Sequence, residues 1–346
     1  MMSNDMDSAF AAYKLPSIDN LHLVMQHETG LQHIGFSHKI EAEGFMMLPF
    51  CCTLDKPMLI IKADERIDGH HEVLSAMRDI MPALSSMPDT EADHYHDAFV
   101  SALDVLQNHR LSKIVMSSCS YIKTRIDAVA LFEKACERYP RMMVYMCYTP
   151  VTGLWMGCSP EMIMDGKGNE LTTVALAGTQ PVVGNRLPMD WDLKNRREQR
   201  IVADYIRQVL DDKALKINES NTYIQRAGDL AHLRTDFTFS LGNPAVEMMP
   251  LLGQLFPTPA VCGLPKEQAY DFINRHEGYD RGYYAGVIGP LGEDETHLYV
   301  NLRCARIYAD GIRLFAGGGL LKESVEGKEA EEIRQKMNTI GSLIDK

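Results

Sequence analysis

The 346-residue sequence lacks any excess of positive charge: 35 Lys and Arg stand against 47 Asp and Glu, a formal net charge of −12. That balance repels phosphate backbones and anionic bilayers, and no basic cluster offsets it, so neither nucleic acid nor a membrane is an expected partner. No apolar stretch approaches the length that spans a bilayer, and the start, MMSNDMDSAF, has neither the basic beginning nor the apolar centre of an export signal. The eight cysteines include no C-x-x-C pair and fall mostly in apolar runs, as reduced core thiols do, so a cytoplasmic location is expected. No G-x-G-x-x-G or Walker pattern follows a strand-like run, which leaves dinucleotide and P-loop binding without support. Linkers rich in Pro, Gly or Ser, low-complexity blocks and repeats are missing too, so one compact unit is the simpler organisation.

What is present is ample core material, 45% hydrophobic residues. Short β-type runs fall at 113–119, 142–148, 153–158, 171–176, 298–307 and 312–316, and helical periodicity marks 93–108, 128–138, 194–210, 266–274 and 326–344. Several strands follow one another closely enough for hairpins. The expected fold class is therefore α+β, a single large domain of mainly antiparallel sheets with helices on the outside.

Two of these helices carry acids where apolar residues belong. In 194–210, Ile201, Val202, Tyr205, Ile206 and Val209 recur at helical spacing, and Glu198, with Asn195 beside it, falls inside that stripe, opposite Arg197, Arg200, Asp204 and Arg207. In the last helix Ile333, Met337, Ile340 and Ile344 set the buried face, Glu329, Glu332 and Lys336 share its sector, and Glu331, Arg334, Gln335 and Asn338 point away. An isolated buried carboxylate takes up a proton, so inward acids imply a cation, an ion pair or a ligand. Oxygen donors without a matching His or Cys set suit Mg²⁺, which needs only one or two protein carboxylates. A structural pair between Glu332 and Lys336 at i, i+4 accounts for the last helix equally well.

Other positions read two ways. Lys113 opens the apolar run KIVMSSC, either as a snorkelling lysine at a strand edge or as an amine held in a pocket. Glu161 follows a strand and a Ser-Pro turn in GCSPEMIM, where it caps the turn or projects into a cleft. Leu298, Val300, Leu302 and Cys304 share one face of a continuous strand, which puts Arg303 on the opposite face, toward solvent or a carboxylate ligand. The run AGGGL at 316–320 brings bare amides near the acidic helix, as an anion cradle or a tight turn. His70–His71 and His94 with His96 read as surface histidines before metal ligands.

The order of these segments carries more than any one of them. KIVMSS (113–118), WMGCSPEMI (155–163), ALAGTQP (175–181), KNRREQRIV (194–202), AHLRT (231–235), FPTPAVCGLP (256–265), RGYYAGVIG (281–289), VNLRCARI (300–307), FAGGGLLKES (315–324) and EAEEIRQK (329–336) follow one another along the chain. Together they resemble the chorismate-utilising enzymes, the family of isochorismate, salicylate, anthranilate and aminodeoxychorismate synthases, over roughly residues 93–340. The resemblance implies an anthranilate synthase component I-like fold, with 93–346 as the chorismate-binding catalytic region and the weakly matching 1–92 as the N-terminal part of the same fold. It implies that Glu198 and Glu332 bind Mg²⁺ with Glu329 behind them, and that the metal holds the ring carboxylate of chorismate beside Lys336. Arg303, Tyr284 and the amides around Gly317 and Gly319 would hold the enolpyruvyl carboxylate. Leu176, Ala177, Gly178 and Thr179 would line the ring near its C4 hydroxyl, and His232 and Thr258 match pocket positions.

Within the family the resemblance implies an isochorismate synthase, an isomerase in which water attacks C2 while the C4 hydroxyl leaves. Lys113 is then the general base and Glu161 the general acid, which asks the cleft to depress one pKa and raise the other. Ammonia-using relatives place glutamine at the position of Lys113 or a second lysine within 175–179, and carry a motif like V-D-L-V-R-N-D where this chain reads VADYIRQ (202–208). With Ala177 before Gly178, water is the expected nucleophile and no glutaminase partner is needed. Salicylate synthase, which goes on to eliminate pyruvate, is the nearest alternative, and a non-catalytic chorismate-binding subunit is the alternative of another class. Ser118, Gln180 and Ile333 stand where arginine, arginine and threonine are usual, which bears on loop geometry and on any pyruvate-eliminating side activity. Menaquinone and siderophore synthesis both consume isochorismate, so the pathway stays open.

Overall fold

A computed structural model describes residues 9–27, 30–40, 43–89, 94–184, 186–292 and 294–344. The N-terminal part supplies β1 (Ala9–Lys14), β2 (His22–Gln26), β3 (Gln32–His33), β4 (Gly44–Leu48), β5 (Leu59–Lys62), β6 (Glu65–Asp68), α1 (His70–Ile80) and α2 (Tyr95–Gln107). The middle supplies β7 (Lys113–Lys123), α3 (Ala128–Arg138), β8 (Met143–Thr149), β9 (Gly153–Ser159), β10 (Met162–Lys167), β11 (Glu170–Pro181), α4 (Leu193–Asp211), β12 (Lys216–Glu219), β13 (Tyr223–Ala227) and β14 (Leu230–Ser240). The rest is α5 (Pro244–Leu255), β15 (Gly263–Leu264), α6 (Lys266–His276), β16 (Val287–Leu291), β17 (Glu295–Val300), β18 (Cys304–Tyr308), β19 (Gly311–Leu320) and α7 (Glu326–Gly341).

The strands form two antiparallel sheets, one in the order β15-β7-β19-β18-β9-β8-β1-β2-β6 and the other β12-β14-β11-β10-β17-β16-β4-β5-β3, with β13 also on β14. This is the α+β architecture expected. Both faces of the first sheet are covered. Ala9, Ala11, Tyr13, Tyr145, Cys147 and Trp155 belong to a core shared with the second sheet, and Phe10, Ala12, Val144, Met146, Leu154 and Met156 to a core shared with α1, α3 and the end of α7. Strands buried on both faces read as unbroken apolar runs rather than alternations, which is why AFAAYK and GFMML carry little period-two signal. Helices α4 and α5 pack on the second sheet, and α2 and α6 on β7.

Helix α4 covers the predicted 194–210, and α3 coincides with 128–138. Helix α2 begins at Tyr95, and position 93 of its expected span lies outside the described residues. Helices α1 and α5 were not expected; α5 contains Pro250 and Gly253, which interrupt a helical reading.

The expected strand 298–307 is corrected. It is two strands in different sheets, β17 in the second and β18 in the first, and residues 301–303 carry the chain between them. Asn301 anchors this crossing, donating from Nδ2 to Tyr283 O (2.8 Å) and accepting at Oδ1 from Tyr145 Oη (2.6 Å). Arg303 takes a left-handed backbone, φ 49°, and is buried, so it does not alternate with Leu302 across a strand; both face the cleft described below. A second crossing runs beside it, from β9 to β10 through Pro160 and Glu161. The two crossings are tied by Val300 N to Glu161 O (2.9 Å) and Cys158 N to Arg303 O (3.1 Å).

Candidate active site

The paired crossings open a cleft where the two sheets part. Its lining includes Glu161, Leu176, Ala177, Gly178, Thr179, Glu198, His232, Tyr284, Arg303, Gly317, Gly319 and Lys336, all expected from the sequence, together with Val115, Pro160, Ala260, Val261, Leu302 and Ala316, which were not.

Each contributing element is shaped locally for this. Strand β11 is irregular between Ala177 and Gln180, and Gly178 there has φ 74°, a bulge that turns Gly178 and Thr179 out of the ladder. The bulge is held by α4: Asp192 caps that helix, Oδ1 accepting from Asn195 N (2.8 Å), and Asn195 Oδ1 in turn accepts from Thr179 N (3.0 Å). Strand β18 stops pairing with β19 at Phe315, so beyond it β19 is bonded only to β7. Gly317 O, on the edge so freed, accepts from Lys336 Nζ (2.9 Å), and strand alternation puts the Gly319 amide on the same edge.

The glycines matter for space as well. A Cβ on Gly319 would penetrate Glu198 Oε1 and lie 3.0 Å from Lys113 Cε, and one on Gly317 would lie 2.8 Å from Tyr284 Oη. Bare backbone is thus what lets Glu198, Lys113 and Tyr284 close on β19.

Three glutamates and three lysines interleave around that strand. Lys113 Nζ lies 3.1 Å from Glu198 Oε1, Lys194 Nζ donates to Glu329 Oε1 (2.7 Å), and Lys336 Nζ donates to Glu332 Oε1 (2.6 Å). The ion pair that the 332–336 spacing left open is therefore formed, and Lys336 faces the cleft. Burial alone raises the Glu332 carboxyl, but Lys336 and Lys194 outweigh it and hold the group below the usual carboxylate range. Glu329, served by Lys194 and Ser324, is net raised by burial. Lys113 is fully buried, and although it is at ion-pair distance from Glu198 its amine makes no aligned hydrogen bond. It is covered by Glu198 and does not line the cleft, and Glu329 and Glu332 also stand one layer back.

The opposite wall is built from Glu161, His232 and Arg303. Glu161 is 4% exposed, and burial pushes its carboxyl up to about 8 against the pull of Lys113, Lys336 and Arg303. Its expected elevation is present. His232 is driven down to about 3 by burial and by the neighbouring charges of Arg303 and Lys336. Its partners assign the tautomer: Nδ1–H donates to Gly178 O (2.9 Å) and Nε2 accepts from Arg303 Nη2 (2.9 Å). Neutral His232 is thus a strut that orients Arg303, a role its sequence context did not disclose. Thr258 is the expected pocket residue that the cleft does not reach. It is buried, and its hydroxyl accepts from Ala260 N (3.3 Å), so it acts on the wall segment 260–261 from behind.

Glu198 and Glu332 offer oxygen donors of the kind Mg²⁺ takes, and each is paired with a lysine, Lys113 and Lys336. Among the described residues no three His, Cys, Asp or Glu groups converge. His70 lies near Glu133 (3.6 Å) and His96 bonds Glu326 (2.9 Å), surface pairs away from this cleft.

Residues 47–345 match the family model described as chorismate binding enzyme. The chain belongs to that family. Among curated members, it is 30% identical over 280 residues to the vibriobactin-specific isochorismate synthase of Vibrio cholerae serotype O1, covering 74% of this chain and 67% of the relative. It is 32% identical over 258 residues to isochorismate synthase MenF of Escherichia coli K12, covering 70% of this chain and 58% of the relative. The chain spans about half to two thirds of the length of the curated relatives it matches. Its fold is that of the solved MenF of Escherichia coli (TM-score 0.76, 21% identity, 98% of this chain and 89% of that one) and of anthranilate synthase component I from Streptococcus pneumoniae TIGR4 (0.70, 17%, 98% and 93%). Chorismate-binding enzymes are thus its kin by sequence as well as by fold, and among the described residues no helix is long and apolar enough to cross a membrane.

Proposed function

We propose that this protein is an Mg²⁺-dependent isochorismate synthase. The observation that carries the reading is a buried carboxyl on the cleft wall held protonated up to about pH 8, Glu161, together with a fully buried amine, Lys113, that stands directly behind the cleft-lining Glu198. The names of the relatives, isochorismate synthases of two bacteria, support the same choice.

In this reading Arg303, braced by His232, and Tyr284 take the enolpyruvyl carboxylate with the β19 amides. Lys336 takes the ring carboxylate, and the β11 bulge at Gly178–Thr179 lies along the ring. Glu198 and Glu332 would hold Mg²⁺, with Glu329 behind them; when bound, the ion supplies charge that fixes the ring carboxylate. Glu198 covers Lys113, so the base role requires that carboxylate to be engaged elsewhere, as metal binding would do.

Lys113 accepts a proton from water while the water oxygen bonds to C2. The ring double bonds shift, the C4–O bond breaks, and the departing hydroxyl leaves as water with the proton of Glu161. One water enters and one leaves, and a proton returns from Lys113 to Glu161 before the next turnover.

Incubation of the purified protein with chorismate, with and without Mg²⁺, tests this by product analysis. Isochorismate formed only with the metal is the expected result. Salicylate with pyruvate would move the assignment to a salicylate synthase, and silence with or without Mg²⁺ would overturn the enzymatic reading in favour of a chorismate-binding subunit.

A further inference from the structure

A second buried ion pair lies behind the cleft, and no step above uses it. Glu277 and Arg281, 2% and 3% exposed, are joined side-on through one guanidinium edge: Nε to Oε2 (2.5 Å) and Nη2 to Oε1 (2.6 Å). A pair so placed is poor evidence of stability, since desolvation offsets its attraction, so its other bonds decide what it is for.

Those bonds go to β7, at Val115 and Ser117, and to Val261. Strand β15 pairs with β7 only at Gly263–Leu264, opposite Ile114 and Lys113. The last main-chain link is Val115 N to Cys262 O (2.7 Å), and beyond it the two segments part. There the guanidinium takes over, donating from Nη2 to Val115 O (2.8 Å) and from Nη1 to Val261 O (2.9 Å). Glu277 Oε1 continues along the same edge of β7, accepting from Ser117 N and Ser117 Oγ, each at 2.7 Å, and Ser117 Oγ also meets Tyr279 Oη at 2.6 Å. Val115 and Val261, with Ala260, line the cleft on this wall. Arg281 O further accepts from the amide of Tyr284 (3.0 Å), and the guanidinium stacks 4.2 Å over Phe50. On its far side the pair lines a separate cavity with Phe50, Cys51 and Lys56.

We propose that Glu277 and Arg281 are positioning residues that stand in for a missing strand: their side chains bond the β7 edge where β15 departs, and so hold Val115, Val261 and Tyr284 at the width that fits the substrate. The inference deepens the proposed function and rests on it. A flexible lysine at 281 reaches Glu277 but cannot span two carbonyls as the planar fork does. These residues touch substrate-facing walls and none of the proton-transfer groups, so their loss weakens binding in ground and transition state alike.

The test compares Arg281→Lys with the double variant Arg281→Met/Glu277→Gln, which leaves no unpaired buried charge. Expected is a rise in the KM for chorismate of about tenfold or more in both, with kcat per folded enzyme changed by no more than about threefold. Amide exchange at Val115, Ser117, Val261 and Cys262 should quicken, while the β7–β19 ladder, to which the Met116 amide belongs, keeps its protection. A folded double variant with unaltered KM and exchange overturns the proposal, as does a loss confined to kcat. If the unaltered protein gives no turnover, the functional reading fails while the exchange comparison still judges the clamp. If neither variant folds, exchange in the unaltered protein decides: the clamp demands that the amides of Val115, Ser117, Val261 and Cys262 open as one unit, and independent opening overturns it.

Discussion

Glu161 illustrates how a single residue acquires chemistry from its surroundings. Its backbone sits in a crossing between sheets, so the side chain enters a space where water is scarce, and burial lifts the carboxyl from 4.5 to about 8. The folded protein therefore keeps the acid form through neutral pH and loses it as pH rises through about 8. The kcat/KM profile for chorismate, which reports the free enzyme, is expected to fall on the alkaline side of about pH 8. In Glu161→Gln that alkaline limb should vanish along with roughly 10²- to 10⁴-fold of rate. Lys113→Ala should abolish water addition while chorismate binding stays measurable by calorimetry; full activity would remove Lys113 from the base role. For Glu332→Gln, a Mg²⁺ titration of activity should shift upward by roughly tenfold or more, and an unchanged titration would leave Glu332 a mere partner of Lys336. Glu198, Glu329 and Glu332 were legible from helical periodicity because an inward acid violates the apolar stripe. Arg303 was named through the family resemblance, but its placement on a strand face failed, since its left-handed backbone breaks the alternation that sequence reading presumes.

At the scale of the element, β19 carries the sharpest constraint. Gly319 lets Glu198 and Lys113 approach a strand from which a side chain would bar them, and Gly317 does the same for Tyr284. Gly319→Ala should displace Glu198 and Lys113, which measurement of Mg²⁺-induced thermal stabilisation would register as a loss. Gly327→Ala, in the first turn of α7 where a Cβ meets nothing within 4 Å, should be neutral or stabilise by up to about 1 kcal/mol. The AGGGL run was visible in the sequence, though whether it cradled an anion or merely turned was not, because that depended on β18 ending one strand away. Residues 298–307 looked like one strand for a similar reason: apolar alternation continues through a change of sheet, and only the partner strands reveal the break. The Glu277–Arg281 spacing gave no functional signal, as its acceptors lie on β7 and at Val261.

For the whole molecule, the N-terminal strands complete one end of both sheets. Strand β1 lies between β8 and β2, and β4 between β16 and β5, with Phe45, Met46, Met47 and Leu48 fully buried. A chain begun at residue 93 would leave β8 and β16 as open apolar edges, and is expected to aggregate rather than fold, as size-exclusion chromatography and circular dichroism would register. The sequence by itself determined the α+β class, the chorismate-binding kinship and the acids that turn inward, because periodicity and ordered motifs are local properties of the chain. Tertiary structure alone decided that two crossings between sheets meet at Glu161 and Arg303, that Glu198 lies over Lys113, and that an ion pair replaces a strand behind the cleft. Those contacts join residues far apart in the chain, and their geometry depends on which strands end and where, which no local pattern encodes.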